Sequence, residues 1–230
     1  MRKQDTAWFV ALGAGLLSVL ALLRRRVRAS AVFALGAVGA GVASRRWSRD
    51  DKAPFPYSLR WVLDFPHPIS PDLLRRGVEP SEGDHVLEIG PGTGRHAVLV
   101  ARWVAPTGTL DVFDVQQEML DAVMRRADDE AVTNISPAQG QAGERLPYPD
   151  DGFDAAYLVT VVGEIPDPDV ALRELRRVLR PGGRLAVGEV IVDPDYTSLG
   201  ELRSRAEACG FRFVQRHGSP FAYVAQFEAA

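Results

Sequence analysis

The stretch HVLEIGPGTGRHAVLVARWV, residues 85–104, sets three glycines at alternate positions, Gly90, Gly92 and Gly94, between a short apolar run and a segment with helical periodicity. A strand that turns on bare backbone into a helix constrains a chain strongly. It predicts a parallel α/β unit with the turn at the carboxyl edge of the sheet, where open parallel sheets bind their ligands. Glycine there permits positive φ and lets a ligand approach the backbone closely. Two ligand classes compete for such a turn. The dinucleotide fingerprint is G-x-G-x-x-G/A with a pyrophosphate at the helix start. Here the spacing is G-x-G-x-G, with Pro91 inside the loop and Arg95 and His96 following, an imperfect fit to a dinucleotide.

The same alternation continues downstream. Apolar runs TLDVF (109–113), AAYLVTV (155–161) and RLAVGEV (184–190) are separated by amphipathic stretches, the pattern of a mostly parallel sheet with helices on its faces. Ser70 followed by Pro71 and Asp72 predicts a helix start, with Gly77 as its stop. Residues 117–128 carry Met119, Leu120, Val123 and Met124 on one helical face. Asp167 with Pro168 caps a helix that stops before Pro181, and Ser198 with Glu201 has capping-box spacing, with Gly210 as the close. FRFVQRHGSPFAYVAQF predicts two strands joined by a turn around Gly218, Ser219 and Pro220, too close for a helical crossover and therefore antiparallel.

The first 52 residues have a different character. AWFVALGAGLLSVLALL (7–23) is free of charge and reaches the lower length needed to cross a hydrocarbon core of about 30 Å. ASAVFALGAVGAGVA (29–43) is also uncharged but shorter, either a second span, a re-entrant piece or a packing helix. One or two hydrophobic helices are therefore expected here, a membrane anchor rather than a cleaved signal, because Arg24–Arg26 stand where small residues before a cleavage site belong. The bias of Arg and Lys places the rest of the chain on the cytoplasmic side for one span or two. The stretch APFPYSLRWVLDFPHPISPDLL (53–74), with five prolines interleaved with Phe55, Tyr57, Trp61 and Phe65, suggests an irregular or briefly helical cover. The expected organisation is an anchor over 1–52, a cover and lead-in helix over 53–80, and a ligand-binding domain over 81–230.

Composition narrows the function further. A net charge of −3 gives no case for nucleic acid, since polyanion binding leaves a basic excess. The single cysteine, Cys209, excludes an internal disulfide and a cysteine-based zinc cage, and no metal is expected.

VLEIGPGTG, the acidic residue closing the strand in LDVFDVQQEML, AGERLPYPDDGFD and ALRELRRVLRPGGRLAVGE occur in that order, and together they resemble the class I S-adenosylmethionine-dependent methyltransferases over roughly residues 70–228, nearest the branch of quinone and sterol C-methyltransferases. The resemblance implies a Rossmann-like α/β sheet of seven strands, mostly parallel with the last strand antiparallel, and S-adenosyl-L-methionine as cofactor. It implies that Glu88 and the backbone of Gly90, Pro91, Gly92, Thr93 and Gly94 surround the methionine part, and that Asp114 accepts hydrogen bonds from the ribose hydroxyls. A carboxylate suits that task because its two oxygens accept two donors at once. Val115 and Gln116 are expected to flank the adenine. Gln141, before Ala142, stands where family members often carry Asp, and still offers a carbonyl oxygen to the adenine amino group.

Methyl transfer from a sulfonium asks little of side chains beyond alignment, with a base needed only if the acceptor must lose a proton early. Glu164, after the fourth strand, and Glu189, late in the fifth, are candidate catalytic or positioning groups. His67 and His96 are candidate bases or packed histidines. The expected acceptor is an apolar small molecule taken from the membrane, with a non-catalytic cofactor-binding scaffold and an NAD-linked oxidoreductase as alternatives.

Overall fold

The computed structural model describes residues 54–64 and 67–230, with Lys52 and positions 10, 11, 13, 14 and 17. Apart from those five positions, the uncharged runs 7–23 and 29–43 lie outside the described residues. Among the described residues no helix is long and apolar enough to cross a membrane. By its contacts the chain falls into two compact units, Met1–Lys52 and Ala53–Ala230.

The second unit opens with a 3-10 helix, Tyr57–Asp64, in the aromatic cover, followed by α1 (Pro71–Val78). The chain then alternates β1 (His85–Ile89), α2 (Ala97–Val104), β2 (Thr109–Asp114), α3 (Gln117–Asp129), β3 (Ile135–Gln139), β4 (Phe153–Val159), α4 (Pro168–Val178), β5 (Leu179–Val190) and α5 (Leu199–Ala208). It closes with β6 (Phe211–Gly218) and β7 (Ala222–Ala229). The seven strands form one sheet in the order β3-β2-β1-β4-β5-β7-β6. All neighbours from β3 to β5 are parallel, and β7 lies antiparallel between β5 and β6. The order reverses between β1 and β4, so two strand ends diverge there and leave a crevice at the carboxyl edge.

Both faces of the central sheet are covered, which is why β1, β2, β4 and the later part of β5 read as apolar runs rather than alternations. Leu87, Ile89, Phe113, Leu158 and Val187 pack on one face with Leu172 and Leu175 of α4 and Leu202 of α5. Val86, Val112, Ala155 and Ala186 pack on the other with Leu74 of α1, Val100 and Val104 of α2, and Val123 of α3. The caps form as the spacing predicts. Ser70, Asp167 and Ser198 accept hydrogen bonds through their side chains from the Leu73, Val170 and Glu201 backbone N–H groups at 3.2, 3.1 and 3.3 Å.

Three local expectations are corrected, and one strand lies where no apolar run stands. Gly77 does not stop α1: it lies inside the helix, which ends at a left-handed Glu79, φ 48°. A β-carbon at Gly77 would sit 2.2 Å from Val224 Cγ1 of β7, so this glycine serves close helix–sheet packing. The fourth strand ends at Val159 rather than 161, because Thr160 adopts φ 55° and turns the chain at the crevice. The fifth strand begins at Leu179 rather than 184, and Arg180–Gly183 loop out between the pairs Phe153–Leu179 and Ala155–Arg184. A strand at Ile135–Gln139, which no apolar run announced, forms the sheet edge, where Pro137 is tolerated.

Candidate functional site

The residues after β1, β2 and β4 converge on the crevice. Gly90, Gly92 and Gly94 adopt φ of 69°, 55° and 79°, a region that L side chains enter at a cost. They are not equivalent. A β-carbon at Gly90 would lie 2.5 Å from Val161 Cγ2, and one at Gly94 would lie 3.0 Å from the Val123 backbone. One at Gly92 would meet only the tip of Leu63 in the cover, at 3.0 Å, so Gly92 alone faces out of the core. Pro91 and Thr93, both buried, complete the loop.

Glu88 lies on β1 and is 3% exposed, on the sheet face that carries Val86. Its registry partners are Val112 on β2 and Tyr157 on β4. Burial pushes its carboxyl up to about 8; the Tyr157 hydroxyl opposes the shift and the charge of Asp114 adds to it. Glu88 Oε2 and the Tyr157 hydroxyl are both buried, and neither has a hydrogen-bond partner in good geometry. Buried polar atoms without such partners are rare and point to a missing donor. Tyr157 carried no functional signal in the sequence beyond being a polar ring inside an apolar strand.

Asp114 closes β2, 9% exposed, and its Oδ1 accepts the Gln116 backbone N–H at 2.8 Å. Burial raises its carboxyl to about 6, against the backbone N–H groups of Gln116 and Val115, which lower it. The Gly140 N–H donates to the Asp114 carbonyl at 3.0 Å, which ties the turn after β3 to the end of β2. Gln141 on that turn is exposed, Ala142 is half-buried, and Val115 is exposed. The turn thus brings Asp114, Val115, Gln141 and Ala142 to one strand end.

Gln116 and Glu164 meet the cover. Gln116 Nε2 donates to the Phe55 carbonyl at 2.8 Å, and the Phe55 N–H donates to Glu164 Oε2 at 3.0 Å. Glu189 lies elsewhere, on the opposite face of β5 from Val190, 1% exposed, where its Oε2 accepts the Thr197 N–H at 3.0 Å. Burial holds its carboxyl well above the usual range. His67 and His96 come together edge to face with ring centroids 5.7 Å apart. His67 Nδ1 accepts the Ile69 N–H at 3.2 Å, so its proton sits on Nε2. Burial lowers both imidazoles, His96 to about 4, and keeps them neutral near pH 7. Among the described residues no cluster of His, Cys, Asp and Glu is fit to hold a metal ion.

This arrangement fits S-adenosylmethionine. The buried carboxyl of Glu88 could take a cationic donor, the backbone at Gly92 leaves room for close approach, and the Asp114 oxygens at the end of β2 could accept from a ribose.

Comparison with known proteins agrees. The model of the ubiE/COQ5 methyltransferase family matches residues 66–198. A ubiquinone/menaquinone biosynthesis C-methyltransferase UbiE from Pseudomonas putida (strain GB-1) is 39% identical over 138 residues, 59% of this chain and 52% of that protein. The methyltransferase GfsG from Streptomyces halstedii is 32% identical over 140 residues, 60% of this chain and 49% of that protein. The chain thus spans about half the length of these curated relatives. A SAM-dependent methyltransferase structure from Aquifex aeolicus superposes with a TM-score of 0.71 at 21% identity, over 76% of this chain and 100% of that one. The [4+2]-cyclase SpnF superposes with a TM-score of 0.57 at 27% identity, over 64% of this chain and 57% of that one. Family and neighbours indicate S-adenosyl-L-methionine as the cofactor. A seven-stranded sheet with its crevice between β1 and β4, and a match across more than half its length, make this chain a member of the ubiE/COQ5 methyltransferase family.

Proposed function

We propose that the protein transfers a methyl group from S-adenosylmethionine to an apolar small molecule, such as a lipid or quinone, and that residues 1–52 tether it to a membrane with the catalytic unit on the cytoplasmic side. The observation that carries the methyltransferase reading is the convergence of Glu88, the Gly90–Gly94 backbone and Asp114 on the β1–β4 crevice. The uncharged run 7–23, its basic flanks and the aromatic cover at 54–64 support the tether and the apolar acceptor.

When bound, the cofactor supplies an electrophilic methyl group on a sulfonium. The protein's task is to hold that group and exclude water. Glu88 becomes the counter-charge for the cationic methionine part, Asp114 fixes the ribose, and the cover closes the edge from which water would enter. His67 and His96, both neutral, stand ready as hydrogen-bonding groups rather than charged ones.

The test has two arms. Calorimetry should show binding of S-adenosylmethionine and none of NAD; the reverse would make the chain an oxidoreductase. Mass spectrometry of lipids and quinones from cells with and without the protein should show a species heavier by one methylene unit. Because a fold neighbour is a cyclase, cofactor binding alone would not establish the reaction. Cofactor binding without any methylated product would leave a scaffold or a different chemistry.

A further inference from the structure

We infer that Gln116 and Glu164 are positioning residues that clasp the backbone of Phe55 and so hold residues 54–64 as a strap whose release admits the ligands of the crevice. The inference rests on the cofactor reading above for what lies beneath the strap, but the clasp itself rests on geometry alone.

Phe55 stands between Pro54 and Pro56, so it has the only backbone N–H in that tripeptide. That N–H donates to Glu164 Oε2 at 3.0 Å, and the Phe55 carbonyl accepts from Gln116 Nε2 at 2.8 Å. Both polar groups of one residue are therefore taken by side chains from the segments that follow β2 and β4, the two strands flanking the one that carries the glycine loop. Further contacts hold the strap: Arg125 of α3 donates to the Tyr57 hydroxyl at 3.3 Å, and Leu63 lies against Gly92. Among the described residues no sheet ladder includes the segment. Side-chain bonds and an apolar contact attach it instead, which is how a segment opens without disturbing the core.

The chemistry of the two clasping groups fits holding better than reaction. Glu164 gives one oxygen to an amide, and Gln116 has no useful acid–base chemistry. Gln116 follows Asp114 by two residues and its N–H donates to Asp114 Oδ1, so the ribose carboxylate and one half of the clasp share a single turn. Ligand held by Asp114 and closure of the strap are thereby coupled through Gln116.

The experiment uses the full chain. Hydrogen exchange of the Phe55 amide, resolved by NMR, reads the clasp at a single group. Glu164→Ala should speed that exchange by about tenfold or more, the loss expected for a hydrogen bond to a charged acceptor. Glu164→Gln, whose carbonyl oxygen still accepts, should stay close to the parent. Stopped-flow binding of S-adenosylhomocysteine should then show both association and dissociation several-fold faster in Glu164→Ala, with a much smaller change in Kd, because a gate alters passage more than affinity. A merely structural role would move Kd or the melting temperature and leave the two rates unlinked. Unchanged Phe55 exchange in Glu164→Ala overturns the clasp, and faster exchange with unchanged rates overturns the gate. If the parent chain binds no S-adenosylhomocysteine, the cofactor reading fails while the exchange arm still decides the clasp.

Discussion

A carboxyl group with a pKa of about 8 is mostly protonated at pH 7, and this sets what Glu88 does when a cation arrives. An ammonium or sulfonium nearby favours the carboxylate, so cofactor binding should release a proton near neutral pH. Calorimetry in buffers of different ionisation enthalpy measures this directly, and affinity should rise by up to about tenfold per pH unit while one proton is released. Glu88→Gln should remove the proton release and bind more weakly. Stability moves the other way. A carboxyl whose folded pKa is raised from 4.5 to about 8 gives stability that is full below the lower value and lost as pH rises toward the higher one. The ligand-free protein should therefore melt at lower temperature as pH climbs through that window, and Glu88→Gln should flatten the slope. Asp114, raised to about 6, adds a second limb: below that pH its protonated form offers fewer acceptor oxygens, and binding should fall. Asp114→Ala should weaken S-adenosylmethionine binding by about 1.5–3 kcal/mol, as for lost hydrogen bonds to a charged acceptor. Unchanged affinity would remove Asp114 from the ribose site.

The glycines separate folding from binding at the level of elements. Gly90 and Gly94 meet Val161 and the Val123 backbone, so Ala at either position should cost stability through strain and crowding together. Gly92 meets only the flexible tip of Leu63, so Gly92→Val should leave the fold standing, at about 1–2 kcal/mol of left-handed strain, and abolish cofactor binding. Equal melting losses at all three positions would refute the distinction. Gly77 extends the argument to α1. Alanine gains about 1 kcal/mol of helix propensity over glycine, yet here it would drive a carbon to 2.2 Å from Val224, and overpacking of about 1–3 kcal/mol should leave Gly77→Ala net destabilised on thermal melting. Such contacts explain what the sequence made legible. Caps and the glycine turn are local chemistry, so Ser70, Asp167, Ser198 and Gly90–Gly94 read correctly from their neighbours. Gly77 did not, because its reason lies on β7, at the far end of the chain. The edge strand at 135–139 escaped for the opposite reason: exposed at most positions and broken by Pro137, it has neither alternation nor an apolar run. The engagement of Gln116 and Glu164 with Phe55 depends on pairings 61 and 109 residues apart, which no spacing rule reaches.

The whole molecule joins a compact 53–230 unit, with its own sheet and two packed faces, to a segment of different composition. The proposed anchor over residues 1–52 would contribute local concentration rather than chemistry, since every residue proposed to touch the cofactor lies from Glu88 onward, in the later unit. Deleting 1–52 should therefore leave S-adenosylmethionine affinity unchanged within about twofold. The same deletion should slow methylation of an acceptor embedded in vesicles by about tenfold or more at equal protein concentration, because tethering holds enzyme and acceptor at one surface and supplies a high effective concentration there. Detergent that disperses both acceptor and protein should erase most of the difference, since surface concentration then counts for nothing. Equal rates on vesicles for the two forms would refute the tether. A preferred acceptor that partitions wholly into water would refute the apolar substrate, and would leave the aromatic cover at 54–64 as packing for the crevice rather than as the door through which a membrane molecule enters.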